Sequence, residues 1–153
     1  MINNDVLRSV RYMLDLSDAK LVAILALADY PVEQASVAAY LKKDDEPGYL
    51  ECPDPVLGHF LDGLVIHRRG KNEQAPERTP ETRLNNNVVL KKLRVAFELK
   101  EQDLHEILSA VGFPVSKPEL SALFRKPGHH NFRKCGDQLL RNFLKGLTQR
   151  LRG

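Results

Sequence analysis

Val6, Leu7, Val10, Met13 and Leu14 recur at the three- and four-residue spacing of one helix face, with Asn3 and Asn4 ahead of them as candidate N-caps. Eighty-three positions later Val89, Leu90, Leu93, Ala96 and Phe97 repeat that stripe. A second stripe, Leu21, Ile24, Leu25 and Ala28, follows the capping residue Ser17 and is matched by Leu104, Ile107, Leu108 and Val111. Pro31 and Pro114 stop both. A third joins Val37, Tyr40 and Leu41 to Leu120, Leu123 and Phe124, and its second occurrence opens with the capping box Ser116-Lys-Pro-Glu119. The fourth carries Leu57, Phe60, Leu61 and Leu64, or Leu140, Phe143, Leu144 and Leu147, with Asp54 and Asp137 as expected N-caps. Arg11 with Asp15 and Arg94 with Glu98 stand four apart and are expected to pair on the surface. No period-two alternation is sustained, although Leu64-Val-Ile66 is a short apolar run open to either reading. The pattern predicts an all-α fold of four helices written twice.

The duplication is gapless. Residues 1–70 align with 84–153, and 22 of the 70 pairs are identical, where average usage gives about four or five. Gly63 and Gly146 interrupt the fourth stripe in both copies at roughly 1 kcal/mol each relative to alanine, which predicts a close helix approach. Gly70 and Gly153 are expected to end the fourth helices in left-handed turns. Residues 71–83 contain no large apolar side chain and read as a solvated linker, about 43 Å long when extended. That reach lets the copies pack within one chain or swap between two. A 70-residue unit is marginal alone, so the copies are expected to share core.

With 153 residues, 42% of them hydrophobic and 28% charged, the chain belongs with ordinary globular proteins. No apolar run approaches a membrane span and no basic-then-apolar leader opens the chain, so the expected place is the cytoplasm. The run Leu120-Ser-Ala-Leu-Phe-Arg-Lys-Pro-Gly-His-His-Asn-Phe-Arg-Lys-Cys-Gly-Asp-Gln-Leu-Leu-Arg-Asn-Phe-Leu-Lys-Gly-Leu147, with the repeat and the Asn-Asn helix start, resembles the bacterial YehS-like family. The resemblance implies two copies of a small domain and no known activity. The first copy departs from it at Cys52-Pro-Asp-Pro-Val-Leu-Gly-His-Phe-Leu61, which restricts any role of the preceding loop to the second copy.

The net charge of +3 conceals a division. Residues 1–70 hold 7 Lys/Arg against 11 Asp/Glu, net −4, whereas residues 84–153 hold 13 against 6, net +7. The contrast concentrates ahead of the fourth helix. There the second copy places Arg125, Lys126, His129, His130, Phe132, Arg133 and Lys134, with Arg141 and Lys145 on the helix that follows. Arginine and lysine there would neutralise phosphates, the histidines would donate, and Phe132 would stack on a base. These nine residues are the candidate binding site, and the expected partner is nucleic acid or another polyanion. The alternative is a protein-interaction module that assembles a homodimer or swapped dimer through its acidic and basic copies. Helices two and three of the second copy also have the outline of a helix-turn-helix with Ser116–Lys126 as recognition helix, but Pro114 and Pro118 lengthen its turn.

Catalytic chemistry is sparse. No Gly-rich phosphate loop, GxSxG or HExxH motif is present, and the cysteines, Cys52 and Cys135, form no CxxC pair. Cys135 near His129, His130 and Asp137 suggests a thiol enzyme as a third reading, with a depressed pKa ahead of a helix N-terminus. Its retention in both copies without the histidines favours a small core residue instead. No catalytic residue, metal site or cofactor is expected.

Overall fold

The computed structural model describes residues 1–70 and 84–153; the expected linker over 71–83 lies outside the described residues. The first copy forms α1 (Asn3–Leu14), α2 (Asp18–Leu27), α3 (Gln34–Leu41) and α4 (Asp54–Arg69), and the second α5 (Asn86–Ala96), α6 (Glu101–Ala110), α7 (Lys117–Leu123) and α8 (Asp137–Arg152). The described residues contain no strand, and Leu64-Val-Ile66 lies within α4. Ser17 caps α2 by accepting from the Lys20 amide, and Ser116 caps α7 by accepting from the Glu119 amide.

The copies exchange helices. α1 packs on α8, and α4 packs on α5, so the first helix of each copy lies against the fourth helix of the other. Both pairs run parallel. The Met1 amine meets Asp137 at the start of α8 while Arg152, at its end, donates to the Tyr12 carbonyl at 2.8 Å. In the other pair Arg68 and Arg69, ending α4, donate to the carbonyls of Ala96 and Val95. The Arg-Gly ending shared by the copies therefore has a physical use. An arginine in the last turn of one helix satisfies the open carbonyls at the end of its neighbour, where a cation is favoured by the helix dipole. One apolar cluster joins both copies and includes the fully buried Phe60 and Phe143. The copies share their core within a single chain.

Gly63 and Gly146 mark where α4 crosses α2 and α8 crosses α6. A Cβ on Gly146 would stand 2.5 Å from the Ile107 carbonyl oxygen, and one on Gly63 would collide with the Ile24 carbonyl. The expected close approach is thus present in both copies.

Several local expectations are corrected. Asn3 and Asn4 lie inside α1, whose N-cap is Ile2, while Asn85 caps α5 by accepting from the Val88 amide. Asp54 and Asp137 are the first helical residues after Pro53 and Gly136, and no side chain caps either helix. Gly70 has φ 84° and ψ 163°, positive in φ but extended, so α4 does not close in a left-handed turn. Asp15 and Glu98 do adopt left-handed φ of 53°, which carries them away from their arginines. Arg94 instead donates to the Leu99 carbonyl and lies 4.5 Å from the Phe124 ring centre, and Glu98 pairs with Arg69. Residues 111–116 separate α6 from the seven-residue α7, longer than the turn of a helix-turn-helix.

Alanine is the better helix former, yet Gly146→Ala is expected to lower the unfolding free energy by about 2 kcal/mol, because overpacking outweighs the propensity gain. Urea denaturation checks this; an equal or higher midpoint would contradict the close-packed crossing.

Candidate functional site

The loop ahead of each fourth helix is pinned by the two asparagines that open each first helix. The Asn4 amide nitrogen donates to the Tyr40 and Leu50 carbonyls, and its oxygen accepts from the Cys52 amide. Asn87 repeats this with the Leu123 and Arg133 carbonyls and the Cys135 amide. Asn3 donates to the Cys52 carbonyl and Asp54, and Asn86 to the Cys135 carbonyl and Asp137. Asn4 is fully buried, and these three bonds are what make its burial tolerable. The loop frames also agree, because Leu50 and Arg133 both donate their amides to the last turn of the preceding helix, at Ala39 and Ala122. A common backbone thus carries Asp44, Asp45, Glu46, Leu50 and Glu51 in one copy and Pro127, Gly128, His129, Arg133 and Lys134 in the other.

Within that frame the expected residues have different surroundings. Arg125, Lys126 and Lys134 are exposed, and no carboxylate of the first copy pairs with them among the described residues. Arg133 pairs with Glu119 of its own copy. The Ser116 hydroxyl, and then Arg133, hold the Glu119 carboxyl below its ordinary range. His129 and His130 stack with ring centres 4.6 Å apart, and the Asn131 amide donates to His129 Nδ1. Phe132 is half-buried, and its amide donates to the His129 carbonyl. Arg141 lines two clefts whose other walls come mainly from the first copy and include none of residues 125–134. Lys145 is exposed one turn further along α8. The structure therefore gathers the first seven residues in one loop and sets Arg141 at the seam between copies. The asparagine pairs are visible in the sequence as repeated identities, but their position at a helix start points to caps and not to these loop contacts. Nothing local in the sequence signals the clefts beside Arg141, because their walls come from helices more than a hundred residues apart.

Cys52 and Cys135 are buried, and among the described residues no three His, Cys, Asp or Glu side chains gather to hold a metal ion. Burial pushes the Cys52 thiol up to about 12 and the Cys135 thiol up to about 11, from an ordinary 9.0. The depressed pKa expected of a helix N-terminal nucleophile is not found, because desolvation outweighs the Leu57 N–H at Cys52, and the Arg133 charge and Leu140 N–H at Cys135. A raised folded-state pKa stabilises the fold fully below the unfolded value. That contribution is lost as pH climbs from 9.0 towards about 11 and 12. The unfolding midpoint is expected to fall over this window, and less steeply in a Cys52→Ala, Cys135→Ala variant; equal slopes would contradict buried, uncharged thiols.

No solved structure matches the chain. It is 53% identical over 150 residues, 98% of its length and 96% of the relative's, to a protein of Escherichia coli (strain K12) named "Uncharacterized protein YehS". A family described as protein of unknown function, DUF1456, matches residues 3–70 and again 86–153, the two copies nearly end to end. The family thus matches the same repeated unit that the helices form, and the chain belongs to the DUF1456 family.

Proposed function

We propose that the chain is a cytoplasmic, non-enzymatic binding or regulatory protein whose basic second copy engages an anionic partner, with nucleic acid the preferred one. The observation that carries this reading is the loop of residues 125–134. Arg125, Lys126 and Lys134 are exposed there without a carboxylate from the acidic copy, although that copy is packed alongside. The ion pairs that cross between copies among the described residues, the Met1 amine with Asp137, Asp62 with Lys92 and Arg69 with Glu98, involve none of these three cations. The cationic groups are therefore available to phosphates, and Asn87 holds their backbone in place. Arg133 contributes less, being neutralised by Glu119. Two buried, protonated thiols speak against the thiol-enzyme reading. Among the described residues no helix is long and apolar enough to cross a membrane.

Each phosphate neutralised on duplex DNA adds about 0.9 to the salt slope, so three free cations predict a log–log slope of about −3. Binding of a fluorescent duplex at low salt is expected to show that slope, and binding of a single strand a shallower one of about −2. Arg125→Glu with Lys126→Glu and Lys134→Glu is expected to abolish it without lowering the unfolding midpoint. Absence of low-salt binding would overturn the reading, as would a protein dimer that dissociates in salt and ignores nucleic acid.

A further inference from the structure

The α4–α5 and α1–α8 seams follow one plan but are finished differently. On the first, Lys92 meets Asp62 at 2.5 Å and the ion pair spans both helices. The positions related by 83 residues on the second seam are Ser9 and Lys145, so a short hydroxyl and an ammonium replace the pair. That seam is open. A cleft of about 400 Å³ there is lined by Arg8, Ser9, Tyr12, Arg141 and Thr148. It shares Met1, Asp5, Arg8 and Arg141 with a second cleft of about 570 Å³ walled by Asp44, Asp45 and Tyr49.

Lys43 also lines the second cleft, and on the α1 side of the clefts the charges are already committed. Arg8 donates to Asp5 at 2.6 Å and to the Lys42 carbonyl at 2.8 Å, and the Met1 amine is held by Asp137. Arg141 makes no hydrogen bond or ion pair among the described residues, yet it stands where the two clefts join. Arg141, Lys145 and Thr148 fall at i, i+4 and i+7, a single row along α8; Arg141 and Thr148 line the first cleft, and Lys145, exposed between them on that row, lines neither cleft itself. A guanidinium with a neighbouring ammonium recognises a phosphate monoester, because planar N–H groups bond two oxygens and both cations offset its charge. Asp44 and Asp45 would repel a second phosphate, but they accept bonds from hydroxyl groups, and Tyr49 adds a flat apolar wall. The combined space suits a small ligand rather than a polymer.

We infer that the open α1–α8 seam binds a small hydroxyl-rich phosphate monoester, its phosphate on Arg141 and Lys145 and its hydroxylated body toward Asp44, Asp45 and Tyr49. The site is separate from the loop of residues 125–134 and stands whether or not that loop binds nucleic acid. Calorimetric titration of the full chain with ribose 5-phosphate, inorganic phosphate and ribose tests it. Ribose 5-phosphate is expected to bind at least about tenfold more tightly than inorganic phosphate, with ribose silent. Arg141→Gln should weaken it about tenfold or more, and Lys134→Glu should leave it unchanged. A Ser9→Lys, Lys145→Asp variant rebuilds the ion pair of the sister seam, and is expected to fold normally and bind nothing. Equal affinity for ribose 5-phosphate and inorganic phosphate, no binding of either, or full binding by Arg141→Gln or by the bridged variant would overturn the inference.

Discussion

Neither copy has enough interior of its own, and the exchange of helices between them is the constraint from which the rest follows. A unit of about 70 residues buries too small a fraction of its surface to be secure alone. Here the first helix of each copy completes the core beside the fourth helix of the other, so one apolar cluster runs from Val6 to Leu147. The parallel seams are closed at their ends by arginines, Arg69 on Val95 and Arg152 on Tyr12. The glycine crossings then bring α2 and α6 onto the same two central helices, α4 and α8.

The second constraint is polar. Asn4 and Asn87 tie the third-to-fourth helix connections to the helices that make the seams. Once those carbonyls and the cysteine amides are satisfied, the loop side chains are free to differ, since their backbone does not depend on them. That freedom is where the copies parted in charge: the frame that bears Glu51 in one bears Lys134 in the other. The seams diverged similarly, with an ion pair retained on one and an open groove on the other. Both proposed sites thus lie on a scaffold whose interior did not have to change.

Most of the fold was legible because it rests on local periodicity. The eight stripes, the Ser17 and Ser116 caps and the doubled glycines each express a rule acting within a few residues. The errors have one source, which is that a polar residue beside a helix start can serve its own helix or something distant. Asn3, Asn4, Asp54 and Asp137 look like caps by position, yet Asn3 donates to Asp54, Asn86 to Asp137 and Asn4 to the Leu50 carbonyl, each across about fifty residues. Asp15 and Glu98 sit at helix-pair spacing, but left-handed backbone at the helix ends takes them out of reach. Of the candidate site, the loop from Arg125 to Lys134 was readable as a charge block. That Arg141 faces the first copy depends on which helix pairs with which, and no local pattern encodes it.

Cys52 and Cys135 place one buried thiol in each copy, so the shared core can be tested without any added probe. The most direct measurement follows the labelling of each thiol against urea, in the natural chain and in Leu64→Ala, which removes a side chain contributed by the first copy. A single core predicts that both thiols become reactive at one midpoint and that the substitution lowers both together. Two midpoints, or a shift confined to Cys52, would contradict it.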